Sequence, residues 1–137
     1  MWKLYAILSA LFAAATAILA KVGVKGISGN MATAIRTIVV LFMAWGIVLL
    51  SGEFSDLKSL NKRNIIFLIT SGLATGLSWL FYFKALETGP VSKVAPIDKL
   101  SIVFVMIFSL LLLKESFDTK MLIGGALIVA GALVLVL

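Results

Sequence analysis

The 137-residue chain contains no cysteine and no histidine. A disulfide framework is impossible, and thiolate- or imidazole-ligated metal sites are excluded. The commonest nucleophile–base pairs of covalent catalysis are missing with them. No GxxxxGK[ST] phosphate loop occurs either, so ATP is not the driving force. An enzyme is not expected, and neither is a cofactor or a metal. Charge is also scarce. Charged residues make up 13% of the chain, and only six residues are acidic. The longest polar stretch runs from Ser51 to Arg63, too short for a separate soluble domain.

Apolar residues are what the chain has. They make up 62% of it, with a mean hydropathy of +1.18. Soluble domains carry about 45–50% apolar residues, so the excess calls for a lipid solvent. The polar residues cluster between apolar runs and do not recur at helix or strand period. Five runs are long enough to cross a bilayer, at about 2–20, 31–50, 64–83, 91–113 and 121–137. Lys3 before the first run resembles the start of a secretory leader, but the run continues to Ala20 and is expected to stay as a span. Gly23, Gly26 and Gly29 punctuate the first loop, and a turn is expected at Lys84–Pro90. Phe54, Leu57 and Leu60 recur every third residue, which predicts a short helix lying on the membrane surface. The expected fold is one domain over 1–137, all-α and integral to the membrane.

Five spans put the two termini on opposite sides of the bilayer. The twelve basic residues set the orientation. Lys3, Lys58, Lys62, Arg63, Lys114 and Lys120 fall on the N-terminal side. Lys21, Lys25, Arg36, Lys84, Lys93 and Lys99 fall on the other. Setting aside Arg36 and Lys99 as too deep to count leaves only a weak bias. A chain without a bias can insert either way up, which makes an antiparallel homodimer of ten helices available. A single orientation with the N-terminal side in the cytoplasm is the alternative. The basic residues flank apolar runs and form no continuous patch, so nucleic acid is not an expected partner.

Small residues mark where helices can approach closely. Gly72 and Gly76 form a GxxxG in the third span, and Gly124, Gly125 and Gly131 line the fifth. Packing within the chain and packing between subunits both fit them, with the fifth span favoured for a subunit contact.

The stretch Trp79–Leu100 reads WLFYFKALETGPVSKVAPIDKL. Its core, Ala85-Leu86-x-x-Gly89 followed by Ser92-x-Val94-Ala95-Pro96-Ile97, resembles the EamA domain of the drug/metabolite transporter superfamily. Leu113-Lys114-Glu115 resembles the family's Leu-Gly-Glu signature, with Lys114 in place of the usual glycine. Arg36 and Gly124-Gly125-x5-Gly131 are also similar, and the resemblance covers essentially the whole chain. It implies a transporter of small organic solutes. It also implies a chain that is one of the two five-helix units most members carry, the first four helices surrounding the cavity and the fifth outside. The smaller multidrug-resistance relatives use a glutamate in the first helix; the first span here has no acidic residue.

Ionisable groups inside a span cost about 2.5–3.5 kcal/mol at its centre on insertion scales and are functional candidates by default. Arg36, Asp98 and Lys99 qualify. Asp98 would lie about 10 Å into the fourth span. Adjacent helical residues project about 100° apart, so Asp98 is expected to pair with Arg36 and leave Lys99 to bind an anionic or zwitterionic solute. Asp98 is also the candidate proton or sodium site. The competing structural account makes Pro96 the first residue of the span, Asp98 a first-turn carboxylate and Lys99 an interfacial anchor. Trp79 lies deeper than Phe81, Tyr82 and Phe83 and is the aromatic expected to stack on a solute or cation. Glu115 is expected to order its loop.

The function that fits is a secondary transporter of a small metabolite, by alternating access in an inverted homodimer. A half-unit of a heteromeric transporter, or a scaffold subunit that moves nothing, stays open. The expected setting is the cytoplasmic membrane of a prokaryote, with lipid, solute and a second copy as partners.

Overall fold

The computed structural model describes residues 1–114, 116 and 118–137. Among them every regular element is helical: α1 (Trp2–Gly23), α2 (Gly29–Ser51), a 3-10 segment (Glu53–Ser59), α3 (Lys62–Thr88), α4 (Val91–Asp98), α5 (Ser101–Phe108), a π segment (Ser109–Leu113) and α6 (Thr119–Val136). Among the described residues five helical stretches are long and apolar enough to cross a membrane: α1, α2, α3, the composite Val91–Leu113, and α6.

The ends of these elements follow from local chemistry. The Ser28 hydroxyl accepts from Met31 N–H at 3.3 Å and caps the start of α2. Gly52, at φ 74°, ends α2 in the left-handed region that glycine enters freely. The surface helix forms as a 3-10 helix, whose three residues per turn match the spacing of Phe54, Leu57 and Leu60. Phe54 turns back against Trp45 of α2, with ring centroids 6.2 Å apart. The turn expected at Lys84–Pro90 is helical through Thr88. Lys84, Ala85, Leu86 and Glu87 are good helix formers, so the helix outlasts the apolar run and stops at Gly89-Pro90.

Pro96 is the sixth residue of α4 and does not open the span. It has no N–H to give the Ser92 carbonyl. One turn later the backbone tightens. Leu100 N–H donates to Ile97 O at 3.0 Å and Ile102 N–H to Lys99 O at 3.1 Å. The fourth span is therefore interrupted at Lys99-Leu100.

Contacts divide the chain into two compact units, Met1–Thr88 and Gly89–Leu137. In the first, α1 and α2 both pack on α3. The buried residues gather where α1 ends, α2 begins and α3 ends: Ala17, Ala20, Val24, Gly29, Ala32, Thr33, Phe83 and Leu86. Leu86 is fully buried. The hydroxyl of Thr33 is satisfied by its own helix, donating to Gly29 O at 2.7 Å. Elsewhere large apolar side chains such as Leu11, Phe42, Phe67 and Leu73 are exposed, a surface suited to lipid.

In the second unit α4 and α5 pack on α6. The Lys93 ammonium donates to Val136 O at 2.8 Å, a cation placed at the negative end of a helix. A Cβ built at Gly125 would lie 2.9 Å from Met106 Sδ, so this glycine does serve packing within the chain. At Gly72, Gly76, Gly124 and Gly131 a Cβ would meet nothing within 4 Å among the described residues. Those four positions therefore leave room on the described chain for a close approach from outside it.

Lys114 has φ 55°, in the left-handed region, and sits where the resembling signature has glycine. A left-handed L-residue costs roughly 1–2 kcal/mol, partly offset by the greater unfolded-state freedom of glycine. Lys114→Gly is therefore expected to stabilise the chain by about 0.5–1 kcal/mol, measured by denaturant titration in detergent micelles. The third member of that signature, Glu115, lies outside the described residues.

Candidate functional site

Two of the residues singled out by chemistry meet in the Met1–Thr88 unit. Arg36 stands in the second turn of α2, about 10 Å along the axis from its start at 1.5 Å per residue. Trp79 comes from α3. The Arg36 Cζ lies over the Trp79 ring, 4.2 Å from its centroid, and 5.6 Å from the centroid of Phe83. A guanidinium over indole gains from about 0.5–1 kcal/mol in water to about 2 or more when desolvated. That gain offsets part of the cost of holding a charge within a span. The cation expected above Trp79 is thus supplied by the chain itself.

Beside this pair is a crevice of about 390 Å³, lined by Thr16, Leu19, Ala20 and Gly23 of α1, Ile27 of the loop, Ala32, Ile35 and Arg36 of α2, and Phe83 of α3. Its volume is within the range of small-molecule sites, and its lining is mainly apolar with few polar groups, as such sites are.

The loop side of the same unit carries a polar junction. The Glu87 carboxylate accepts from the Gly29 N–H at the start of α2. The Lys21 ammonium donates to the Leu86 carbonyl near the end of α3. Lys21, Lys25 and Glu87 line a second hollow of about 340 Å³ there. Glu87 was not among the candidates from sequence. Its signal was faint: an acidic residue just past an apolar run, in a stretch expected to turn.

Asp98 and Lys99 lie in the Gly89–Leu137 unit, at the interruption of the fourth span. The carboxylate expected to meet Arg36 is ion-paired with Lys99, at 3.3 Å. Adjacent side chains can meet here because α4 ends at Asp98 and the long lysine side chain folds back. Both are partly exposed, Lys99 at 55% and Asp98 at 38%. No cluster of three or more His, Cys, Asp or Glu side chains able to hold a metal occurs among the described residues.

The EamA-like transporter family is matched over residues 1–137. A Sinorhizobium sp. protein named "Uncharacterized transporter in cobO 3'region" is 49% identical over 134 residues, which cover 98% of this chain and 95% of that protein. No solved structure matches. A multi-pass helical chain, with a mostly apolar crevice and one guanidinium at its wall, belongs to the EamA-like transporter family.

Proposed function

We propose that this chain is a secondary transporter of a small organic metabolite, and that it works by alternating access as an inverted homodimer in a prokaryotic cytoplasmic membrane. The observation that carries the proposal is the odd number of spans combined with an even division of basic residues. Five spans place the termini on opposite sides, and a near-balanced chain inserts both ways up. Two copies then make ten helices about an axis in the membrane plane, the plan of inverted-repeat transporters. The whole of 1–137 serves as one repeat.

Other features support this reading. Gly72 and Gly76 on α3 and Gly124 and Gly131 on α6 have open faces on which a second copy can approach closely. The Arg36 crevice of each copy offers the solute a seat. The interrupted fourth span, with Asp98 and Lys99 at the break, resembles the discontinuous helices that line transport paths. A gradient of solute or ion drives the cycle, since no nucleotide motif exists.

The absence of cysteine makes orientation directly measurable. Ser55→Cys places one thiol on the exposed 3-10 segment. A membrane-impermeant maleimide applied to one side of sealed vesicles is expected to label about half of the copies, and lysis to expose the rest. Labelling of all copies or none from one side would reject the inverted dimer.

A further inference from the structure

Arg36 and Thr16 share one unusual property. Thr33, Thr37, Thr70 and Thr75 each bond a carbonyl of their own helix, as threonine does inside membrane helices. The Thr16 hydroxyl has no such bond and no other hydrogen-bond partner among the described residues. Arg36 contacts aromatic rings, but no acceptor among the described residues takes any of its N–H donors, and none of its nitrogens is fully buried. Both residues line the same crevice, and among the described residues no acidic one does. A ring fixes the guanidinium without using the planar fork that matches a carboxylate.

We infer that this crevice seats an organic monocarboxylate, whose carboxylate is held by the Arg36 fork with help from Thr16, and whose apolar body lies against Leu19, Ile35 and Phe83. This rests on the transporter reading above and names its substrate class. The sign of the charge follows from the lone guanidinium. A cation would face it with no carboxylate to compensate. A dianion would bring a second charge into apolar walls with nothing to pair it. The apolar walls select a hydrocarbon body over a sugar or a polyol, whose hydroxyls would find few partners there. Trp79 is a positioning residue: it holds Arg36 and does not line the crevice.

The test uses the full chain in phospholipid nanodiscs, with Trp2→Phe and Trp45→Phe leaving Trp79 as the sole tryptophan, since the chain has three. Its emission is followed against 4-methylpentanoate, the matched amide, the matched amine and succinate. A saturable change with 4-methylpentanoate is expected, at least tenfold weaker for each of the others. Arg36→Gln is expected to weaken the carboxylate at least tenfold, Arg36→Lys less, and Thr16→Val about threefold, with helix content by circular dichroism unchanged. Equal binding of acid and amide to the unsubstituted Arg36 protein would overturn the inference without relying on any crevice variant. So would a carboxylate response insensitive to Arg36→Gln. The acid midpoint is expected to be the same in phosphatidylcholine and phosphatidylglycerol discs. An Arg36-dependent emission change set by lipid composition, with none from the acid, would instead identify a headgroup phosphate as the occupant and also reject the inference. The maleimide experiment needs no ligand, so failure of the carboxylate isotherm with both orientations present would reject the substrate class and leave the inverted dimer standing.

Discussion

Gly29→Val is expected to cost the Met1–Thr88 unit about 3 kcal/mol, the upper part of the range for overpacking a tight contact. A Cβ at this position would lie 2.8 Å from Glu87 Oε1, 3.1 Å from Lys84 N and 3.1 Å from Phe83 C. The carboxylate can rotate away; the two backbone atoms cannot. Valine adds two methyl groups to that collision and pushes α2 off α3 at the end where the unit has its buried core. It also pulls the Gly29 N–H from the Glu87 carboxylate, a charge-assisted hydrogen bond. Gly29→Ala is expected to cost about 1 kcal/mol, because the smaller clash is relieved by a shift of a few tenths of an ångström. Unfolding in mixed micelles of increasing sodium dodecyl sulfate measures both. Gly72→Ala is the internal contrast. A Cβ there meets nothing within 4 Å, so helix propensity alone should give about 0.5–1 kcal/mol of stabilisation in the monomer. If instead Gly72→Ala lowers stability only where the chain dimerises, a second copy packs on that face.

The contrast between Gly29 and Gly72 shows where sequence is informative and where it stops. The GxxxG of the third span invites a packing assignment, yet a Cβ at either of its glycines would meet nothing among the described residues, while Gly29 looked like a loop breaker and is where an added Cβ would collide with α3. Spacing identifies a small face; it does not say what covers it. The spans themselves were legible, because a run of about 20 apolar residues has few other uses. Their ends were less so. The stretch from Lys84 to Thr88 is polar enough to leave the membrane and still a good helix former, so hydropathy stopped where the helix did not. Arg36 and Trp79 each stood out alone as an expensive charge and a deep aromatic. Their contact depends on the axial register of α2 against α3, which no periodicity within either helix encodes. The Asp98–Lys99 pair was missed for a related reason: the 100° rule holds inside a helix, and α4 ends between them. Thr16 had no signal at all, since whether a threonine bonds its own helix is decided by its side-chain rotamer, which the sequence does not encode.

The charge balance supports the largest functional prediction. If both orientations are needed, a variant forced into one should lose its dimer almost completely, and two variants forced opposite ways should restore it together. Lys58→Ser, Lys62→Ser and Arg63→Ser remove positive charge from the exposed loop on the N-terminal side. Lys25→Ser with Lys84→Ser, both exposed, removes it from the other side, and Ser55→Lys adds to the first. Short-loop lysines and arginines within a few residues of a span are the ones that set orientation. Reporter fusions at the C-terminus should find both orientations for the natural chain and one for each variant, opposite to each other. With different affinity tags, the two variants should co-purify from maltoside when co-expressed. Each expressed alone should yield at least tenfold less dimer than the natural chain, because an antiparallel contact cannot form between copies that face alike. None of these substitutions touches the Arg36 crevice, so a dimer that survives in a uniformly oriented population would mean that the subunits pair in parallel. The ten-helix inverted plan would then be wrong even if each crevice still took its anion.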